Sequence, residues 1–513
     1  MSSVGGQVTD TLPERRERTW AQNAVAQAPV LKHVAFYAIV ANFPYWLVAH
    51  AFGFAPFGWF CVSYIVAGAI ALVVPRIVAA MILFAIIIID LLCGVCLTFD
   101  LPARECLANL SVEHEFSGLR LFSASAACLL VPVIATVGAT LCSRGTMPNN
   151  QRWQAARWLA LFAVLISGAD ALSIVFVSGR IPLRDPQDRM KPARLNVPRL
   201  ARIPIVRLIR FEKYEVRVKA FDKNGPASAF PVPSATELAV RRAIATSEGS
   251  SGELPNIVLV LVESWGLAVD GPLNEAMVEP YLRPEMVAKY EVIRGSVPFY
   301  GPTIPGEARE LCASGIGFHL VSASAGDLQT CQPTRLGALG YDTIGVHGMS
   351  GNMFNRSVWY RTIGFQERWF HEQFKQQGLP DCSGAFIGTC DADIAVWIGR
   401  RLREDASRPI FLHWMTLNSH LPVPVPTQLS SPVPCSANLG LQPSSLCSWY
   451  QLVANVHHSV SELALGPLGR PTIFVIVGDH APPFGDPGPH DRFSQDNVPY
   501  VLLFPRAQRE KSK

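Results

Sequence analysis

Residues 256–266 read NIVLVLVESWG. Ile257 to Val262 form an unbroken aliphatic run that stops at a carboxylate, Glu263. A strand with one wet face would alternate apolar and polar residues. An unbroken run of this length reads as a strand covered on both faces, as in a parallel sheet. Two more such runs are PTIFVIVGDH (471–480) and PIFLHWMTLNSH (409–420), and VPYVLLF (498–504) is a fourth candidate. Helical patterns lie between them, for example over 391–404. Strands alternating with helices predict an α/β domain with a mostly parallel sheet. Chemistry in such sheets gathers beyond the carboxyl ends of the strands. Three of the runs end at Glu263, at His420 and at Asp479-His480.

Two carboxylates and an imidazole at strand ends can make a divalent metal site. Oxygen plus nitrogen ligation suits Zn²⁺ or Mn²⁺ better than Ca²⁺, which prefers oxygen alone. Each residue also has a plainer reading. Glu263 can cap a helix, Asp479 can form a turn, and His480 can be a core histidine. Three polar ends on otherwise apolar strands favour the metal site.

The rest of the 513-residue chain is unevenly composed: 49% of it is hydrophobic, with apolar residues crowded into 33–177. Five stretches there are long enough to cross a bilayer, which takes about 20 residues each. They are 33–52, 54–74, 77–99, 121–142 and 158–177. The polar tail 1–32 holds Arg15, Arg16 and Arg18, and no cleavable signal pattern follows it. Arg76, Arg144, Arg152 and Arg157 fall in the loops that would share the tail's side, which places the chain beyond 177 outside the cell. The Arg- and Lys-rich stretch 180–219 points the other way. The expected divisions are a cytoplasmic tail (1–32), a five-helix transmembrane domain (33–177), a basic connector (178–255) and a catalytic domain (256–513), with the boundary near Pro255. Within the connector, 199–216 mixes Arg with Ile, Leu, Val and Phe, and reads either as a membrane-surface segment or as a solvated linker. Asp90 and Asp170 fall inside expected spans, where they bond between helices or line a wet path. A net charge of +4, with no nucleic-acid-binding signature, gives no reason to expect nucleic acid as a partner.

Six of the twelve cysteines lie in the catalytic domain: Cys312, Cys331, Cys382, Cys390, Cys435 and Cys447. An even number at close spacing suits local disulfides in an oxidising compartment. Pairing of neighbours is the simplest connectivity.

The ordered set of Glu263, Thr303, His420 and Gly478-Asp479-His480, with HGMSGNMFNRSVWYRTIGF (347–365), resembles the membrane-anchored phosphotransferases of the alkaline phosphatase/sulfatase superfamily. These include lipid A phosphoethanolamine transferases, lipoteichoic-acid synthases and glucan phosphoglycerol transferases. The expected spans extend the resemblance over most of the chain. It implies that Glu263, Asp479, His480 and Thr303 contact a Zn²⁺ or Mn²⁺ ion. It implies that Thr303, in YGPTIPGEAREL, attacks a membrane phospholipid, expels diacylglycerol and carries the head group as phosphothreonine. An envelope glycan or lipid then accepts the group. His420 matches a histidine near the phosphoryl group, and Arg356 an arginine that grips phosphate by two prongs. His347 and Asn355 match residues along the substrate site. His490 matches an additional site histidine, or else sits in a surface loop. The implied location is the cell (inner) membrane, with the catalytic domain on the periplasmic or extracellular side.

The chain departs from the pattern in two places. Met349 stands where lipoteichoic-acid synthases carry Asp, and GDHAPPF lacks the Gly-Glu that follows Asp-His in many phosphoethanolamine transferases. The head group therefore stays open between phosphoethanolamine and phosphoglycerol. Glu307 and Arg309, just after Thr303, either orient the nucleophile or form a helix-surface ion pair; the second is expected.

CQPTR (331–335) fits Cys-x-Pro-x-Arg, the pattern by which sulfatases acquire formylglycine. The alternative reading is a hydrolase on the same scaffold, either a sulfatase or a phosphodiesterase, and the sulfatase version needs Cys331 as its nucleophile. A third reading is a non-catalytic binding protein, which would leave the set of Glu, Thr, Asp and His without a purpose. Against Cys331 as nucleophile, it lies 68 residues after Glu263, whereas Thr303 lies 40 after it. The stretch reads instead as a short helix started at Pro333, a Gly-Tyr turn and the strand leading to His347. Cys331 is then free to pair with Cys312.

Overall fold

The run Ile257–Val262 lies at the centre of a seven-stranded sheet. In chain order the strands are β1 (Asn256–Val262), β2 (Tyr290–Pro298), β3 (Asp342–His347), β4 (Glu367–Trp369), β5 (Ile410–Met415), β6 (Thr472–Gly478) and β7 (Asn497–Pro505). Across the sheet they stand in the order β2-β7-β6-β1-β5-β3-β4. The computed structural model describes residues 28–43, 46, 60–72, 74–98, 147–178, 201–202, 231–249 and 253–506, apart from 383, 405–406, 422–434, 436–438, 442–443 and 485–486.

Every residue of β1, β5 and β6 is buried. That is why these strands are mostly apolar rather than alternating. The pairings β6–β1, β1–β5, β5–β3 and β3–β4 are parallel. Asn256 aligns three strand starts, since its side chain donates to Thr472 Oγ1 (3.4 Å) and accepts the Ile410 N–H (2.8 Å). The register then pairs Gly478 with Val262. Asp479 and Glu263, the next residues along, leave the sheet side by side.

VPYVLLF corrects one expectation. It is a strand, but β7 runs antiparallel to both β6 and β2. The connection from Gly478 to Asn497 holds only the short helix Pro487–His490 among its described residues. A parallel return needs a crossover, usually a full helix, whereas an antiparallel neighbour does not.

The main helices are α1 (Val62–Ile70), α2 (Arg76–Thr98), α3 (Asn149–Ser178), α4 (Ala235–Gly249), α5 (Thr303–Cys312), α6 (Gln332–Ala338), α7 (Arg356–Thr362), α8 (Asp391–Glu404) and α9 (Ser444–Leu465). Helix α4 lies upstream of Pro255, yet Ala235, Ala239, Val240 and Ala243 are buried in the core of the α/β domain. The packed unit therefore begins before residue 255.

Helices α1 to α3 fall within or across the second, third and fifth expected spans, and they share a small core that includes Tyr64, Leu83 and Leu159. The side chains of α2 are described as far as Ile89. Among the described residues no helix is long and apolar enough to cross a membrane. The expected fourth span, nearly all of the basic stretch 199–216, and the side chains of Asp90 and Asp170 lie outside the described residues.

Candidate active site

Two strand ends converge, Glu263 following β1 and Asp479 and His480 following β6, whereas β5 stops at Met415, short of the expected end at His420. Glu263, Asp479 and His480 each present a ligand atom, and these atoms lie within 4.8 Å of one another. All three side chains are buried. The chain leaves β1 through Ser264, whose φ of 58° is left-handed, an uncommon conformation for a residue with a Cβ. Three bonds hold it there. Its N–H donates to Asp479 Oδ1 (2.7 Å), its Oγ donates to Glu263 Oε1 (2.7 Å), and its carbonyl accepts from Trp449 Nε1 (2.9 Å). Gly478 is required beside this turn, because a Cβ would collide with the Trp265 carbonyl.

His480 Nδ1 faces the Ala481 carbonyl (2.8 Å) and so carries the proton. In the neutral ring, Nε2 then offers a lone pair toward Asp479 Oδ2 (3.3 Å) and Glu263 Oε1 (3.5 Å). Three electron-rich atoms facing each other repel unless a cation or a proton lies among them. Asp479 Oδ2 is buried and accepts no hydrogen bond. Burial, and then the neighbouring carboxylate, raise the pKa of Glu263; burial pushes Asp479 up to about 7. This donor set fits a divalent cation, with chemistry suited to Zn²⁺ or Mn²⁺.

Thr303 opens helix α5, and its hydroxyl donates to Glu263 Oε2 (3.2 Å). Gly306 lets this helix lie against Asp479, since a Cβ there would sit 3.0 Å from the Asp479 Cβ. Arg309 ties the same helix to the end of β6, donating to the carbonyls of Gly478 (2.6 Å) and Asp479 (3.1 Å).

The expected helix-surface ion pair between Glu307 and Arg309 is not formed. Both side chains are buried and pair elsewhere. Arg309 pairs with Glu310 (2.6 Å). Glu307 receives Arg356 Nη2 (2.9 Å) and Nε (3.2 Å), the Tyr360 hydroxyl (2.6 Å) and His413 Nε2 (3.4 Å). Against the cost of burial, Arg356 and His413 hold Glu307 down at about 2. The guanidinium fork expected to grip phosphate is thus turned on Glu307.

The other expected residues differ in placement. His420 follows β5, packs edge-on against Phe386 (centroids 4.7 Å apart), and lies close enough to Glu263 for its charge to lower the Glu263 pKa. His347 ends β3 buried, with Nδ1 on the Met415 carbonyl (3.0 Å); burial and the Arg356 charge lower its pKa to about 3, so it is neutral. Asn355 is exposed and left-handed (φ 54°) just ahead of α7. His490 contacts Asp491 (3.0 Å) and is not among the residues gathered at the carboxylate cluster. Met349 packs with Ala385, Phe386 and Leu417 in a small apolar cluster.

Sequence reasoning missed Ser264, Thr416 and Ser419. The last two grip the Glu263 backbone: Thr416 Oγ1 accepts its N–H (2.9 Å), and Ser419 Oγ donates to its carbonyl (2.6 Å). The only signal for them was their place after an apolar run. Among the described residues, disulfides join Cys312 to Cys331, Cys382 to Cys390 and Cys435 to Cys447, the neighbour pairing. Cys331 is fully buried in its pair.

The family model for sulfatases matches residues 255–513. The chain belongs to the sulfatase family. Its α/β domain with a mostly parallel sheet is the architecture expected from the strand pattern, and the superfamily is the one that the ordered motifs resemble. Comparison with curated proteins found no match.

Solved structures similar to this sulfatase-family chain include a lipoteichoic acid synthase, LtaP from Listeria monocytogenes. It shows 14% identity and a TM-score of 0.37 over 50% of this chain and 67% of that one. A phosphoglycerol transferase, GacH from Streptococcus pyogenes, in complex with sn-glycerol-1-phosphate, shows 12% identity and a TM-score of 0.31 over 63% of this chain and 77% of that one. The C-terminal periplasmic domain of EptC from Escherichia coli shows 14% identity and a TM-score of 0.29 over 50% of this chain and 74% of that one.

Proposed function

We propose that the chain is a metal-dependent transferase. It moves phosphoethanolamine or phosphoglycerol from a membrane phospholipid, through phosphothreonine at Thr303, to an envelope glycan or lipid. The observation that carries this reading is the division of labour at Glu263. Its Oε1 faces His480 (3.5 Å), while its Oε2 accepts from the Thr303 hydroxyl (3.2 Å). One carboxylate thus spans the cation position and the nucleophile.

A Zn²⁺ or Mn²⁺ ion held by Glu263, Asp479 and His480, with Thr303 as a further contact, supplies the positive charge that makes a weak hydroxyl nucleophilic and polarises the phosphoryl group. Thr303 Oγ attacks phosphorus, and its proton passes to Glu263 Oε2. The bond to the diacylglycerol oxygen breaks, and that oxygen takes a proton from His420. The acceptor hydroxyl then gives a proton to His420, attacks phosphorus, and displaces Thr303 Oγ, which recovers its proton from Glu263. We assign Arg356 to the anionic phosphoryl oxygens, through exchange of its Glu307 partner, and place His347, Asn355 and His490 along the substrate path.

Membrane anchoring and an external catalytic domain complete the proposal. The expected spans and the three disulfides support it, since disulfides persist in oxidising compartments. Intact-mass analysis after exposure to native lipids is the test. A phospho-head-group adduct on Thr303 is expected. Release of free head group with no adduct would favour the phosphodiesterase, and conversion of Cys331 to an aldehyde the sulfatase.

A further inference from the structure

The loop from Thr416 to His420 does more than carry His420. Thr416 and Ser419 hold both polar groups of the Glu263 peptide, and the Thr416 N–H donates to the Leu261 carbonyl (3.1 Å). The loop is in turn held by a residue that the proposed chemistry does not use. Asp391 is fully buried. Its Oδ2 accepts the N–H groups of Leu417 (3.1 Å) and Asn418 (2.8 Å), and its Oδ1 also accepts from Leu417 (3.1 Å). Asn418 Oδ1 returns the contact by accepting the Asp391 N–H (2.8 Å).

Asp391 is the first residue of helix α8, where a carboxylate is favoured by the free N–H groups and dipole of its own helix. Its acceptor bonds run to the loop instead. The segment that delivers it is tightly fixed. Cys390 is bonded to Cys382, and the Thr389 N–H donates to the Gly348 carbonyl (2.8 Å). A Cβ on Gly388 would collide with Gly348 and Leu417.

We propose that Asp391 is a positioning residue that sets Glu263 and His420 relative to each other by holding the loop between them. For Glu263 this rests on the metal reading above; for His420 it does not. The geometry shows why the role falls to a carboxylate. The loop presents the successive N–H groups of Leu417 and Asn418, and the two oxygens of one side chain accept them both.

The test uses the full chain with Asp391→Ala and Asp391→Asn. Mn²⁺ binding is read by titration calorimetry. The rate of His420 modification by diethyl pyrocarbonate is read by peptide mass spectrometry on metal-free protein, with His490 as the internal control. For Asp391→Ala, the Mn²⁺ Kd is expected to rise about tenfold or more, as when the support of a metal ligand is lost. His420 should react several-fold faster, with His490 unchanged. Asp391→Asn keeps one acceptor and should fall between. Wild-type values in either readout, or equal acceleration of His490, would overturn the proposal. If Asp391→Ala does not fold, the same criteria apply to Asp391→Asn. If Glu263→Ala binds Mn²⁺ like the wild type, the metal reading fails, and the His420 rate alone decides whether Asp391 positions the loop.

Discussion

Glu307 shows how much a single residue carries here. It lies one turn beyond Thr303, with no solvent exposure, and neutralises Arg356, which is equally removed from water. Removing one partner of a buried pair strands the other charge, which costs about 3–5 kcal/mol. Glu307→Ala should therefore lower unfolding stability by that order in chemical denaturation; an unchanged midpoint would show that Arg356 finds another partner. The proposed metal ligands respond differently. Glu263→Ala and Asp479→Ala should each abolish metal retention, read by elemental analysis of the purified protein. Full metal content in either would refute the assignment. Their pKa shifts also set a pH dependence. Unfolded carboxylates titrate at about 4, while burial holds Asp479 near 7 and raises Glu263. A folded pKa above the unfolded one means that the folded state binds the proton more tightly. That stabilisation is complete below about pH 4 and is lost as pH rises through about 7. Metal-free protein should melt at progressively lower temperature from pH 5 to pH 8, and saturating Mn²⁺ should reduce the decline to the part left by Asp391, which burial also pushes up to about 7. Equal slopes with and without Mn²⁺ would speak against this carboxylate pair as the origin.

Among the elements, helix α5 is the junction. Its first residue is the candidate nucleophile, its middle pairs with Arg356, and its end is joined to α6 through Cys312–Cys331. Glu310 adds a fourth tie. Its carboxylate accepts from the hydroxyls of Ser234 (3.0 Å) and Thr236 (2.8 Å) and from the Thr236 N–H (2.9 Å), at the start of α4. A helix inside the expected connector is thus capped by the helix that begins at Thr303. Replacing both Cys312 and Cys331 with Ala should cost about 3 kcal/mol, the chain-entropy value for a loop of this size. It should leave the Thr303 adduct intact in mass spectra. Loss of the adduct in a folded double variant would return Cys331 to the chemistry.

At the scale of the whole molecule, the proposed arrangement separates a bilayer part from an oxidised external domain. Reporter fusions placed after residue 177 should read out on the far side of the membrane, and a cytoplasmic signal would remove the compartment that the disulfides require. How much was legible in the sequence follows from the range of each interaction. Burial of a strand on both faces is written locally, so NIVLVLVE, PTIFVIVGDH and PIFLHWM revealed the sheet and the polar residues at its edge. Neighbouring cysteines are close along the chain, so their pairing was legible too. The antiparallel course of VPYVLLF was not, because direction depends on the connection and not on the run. Charge spacing on α5 could not tell a surface ion pair from two buried ones, since Arg356 lies 49 residues from Glu307. By itself the sequence determined the fold class, the strand ends and the candidate ligands, because apolar periodicity and chemical type are properties of the chain. Only the tertiary structure decided that Gly478 pairs with Val262, that His480 turns its lone pair on two carboxylates, and that Asp391 holds the loop behind Glu263. Those depend on which segments meet in space, and contact between distant segments leaves no period in the chain.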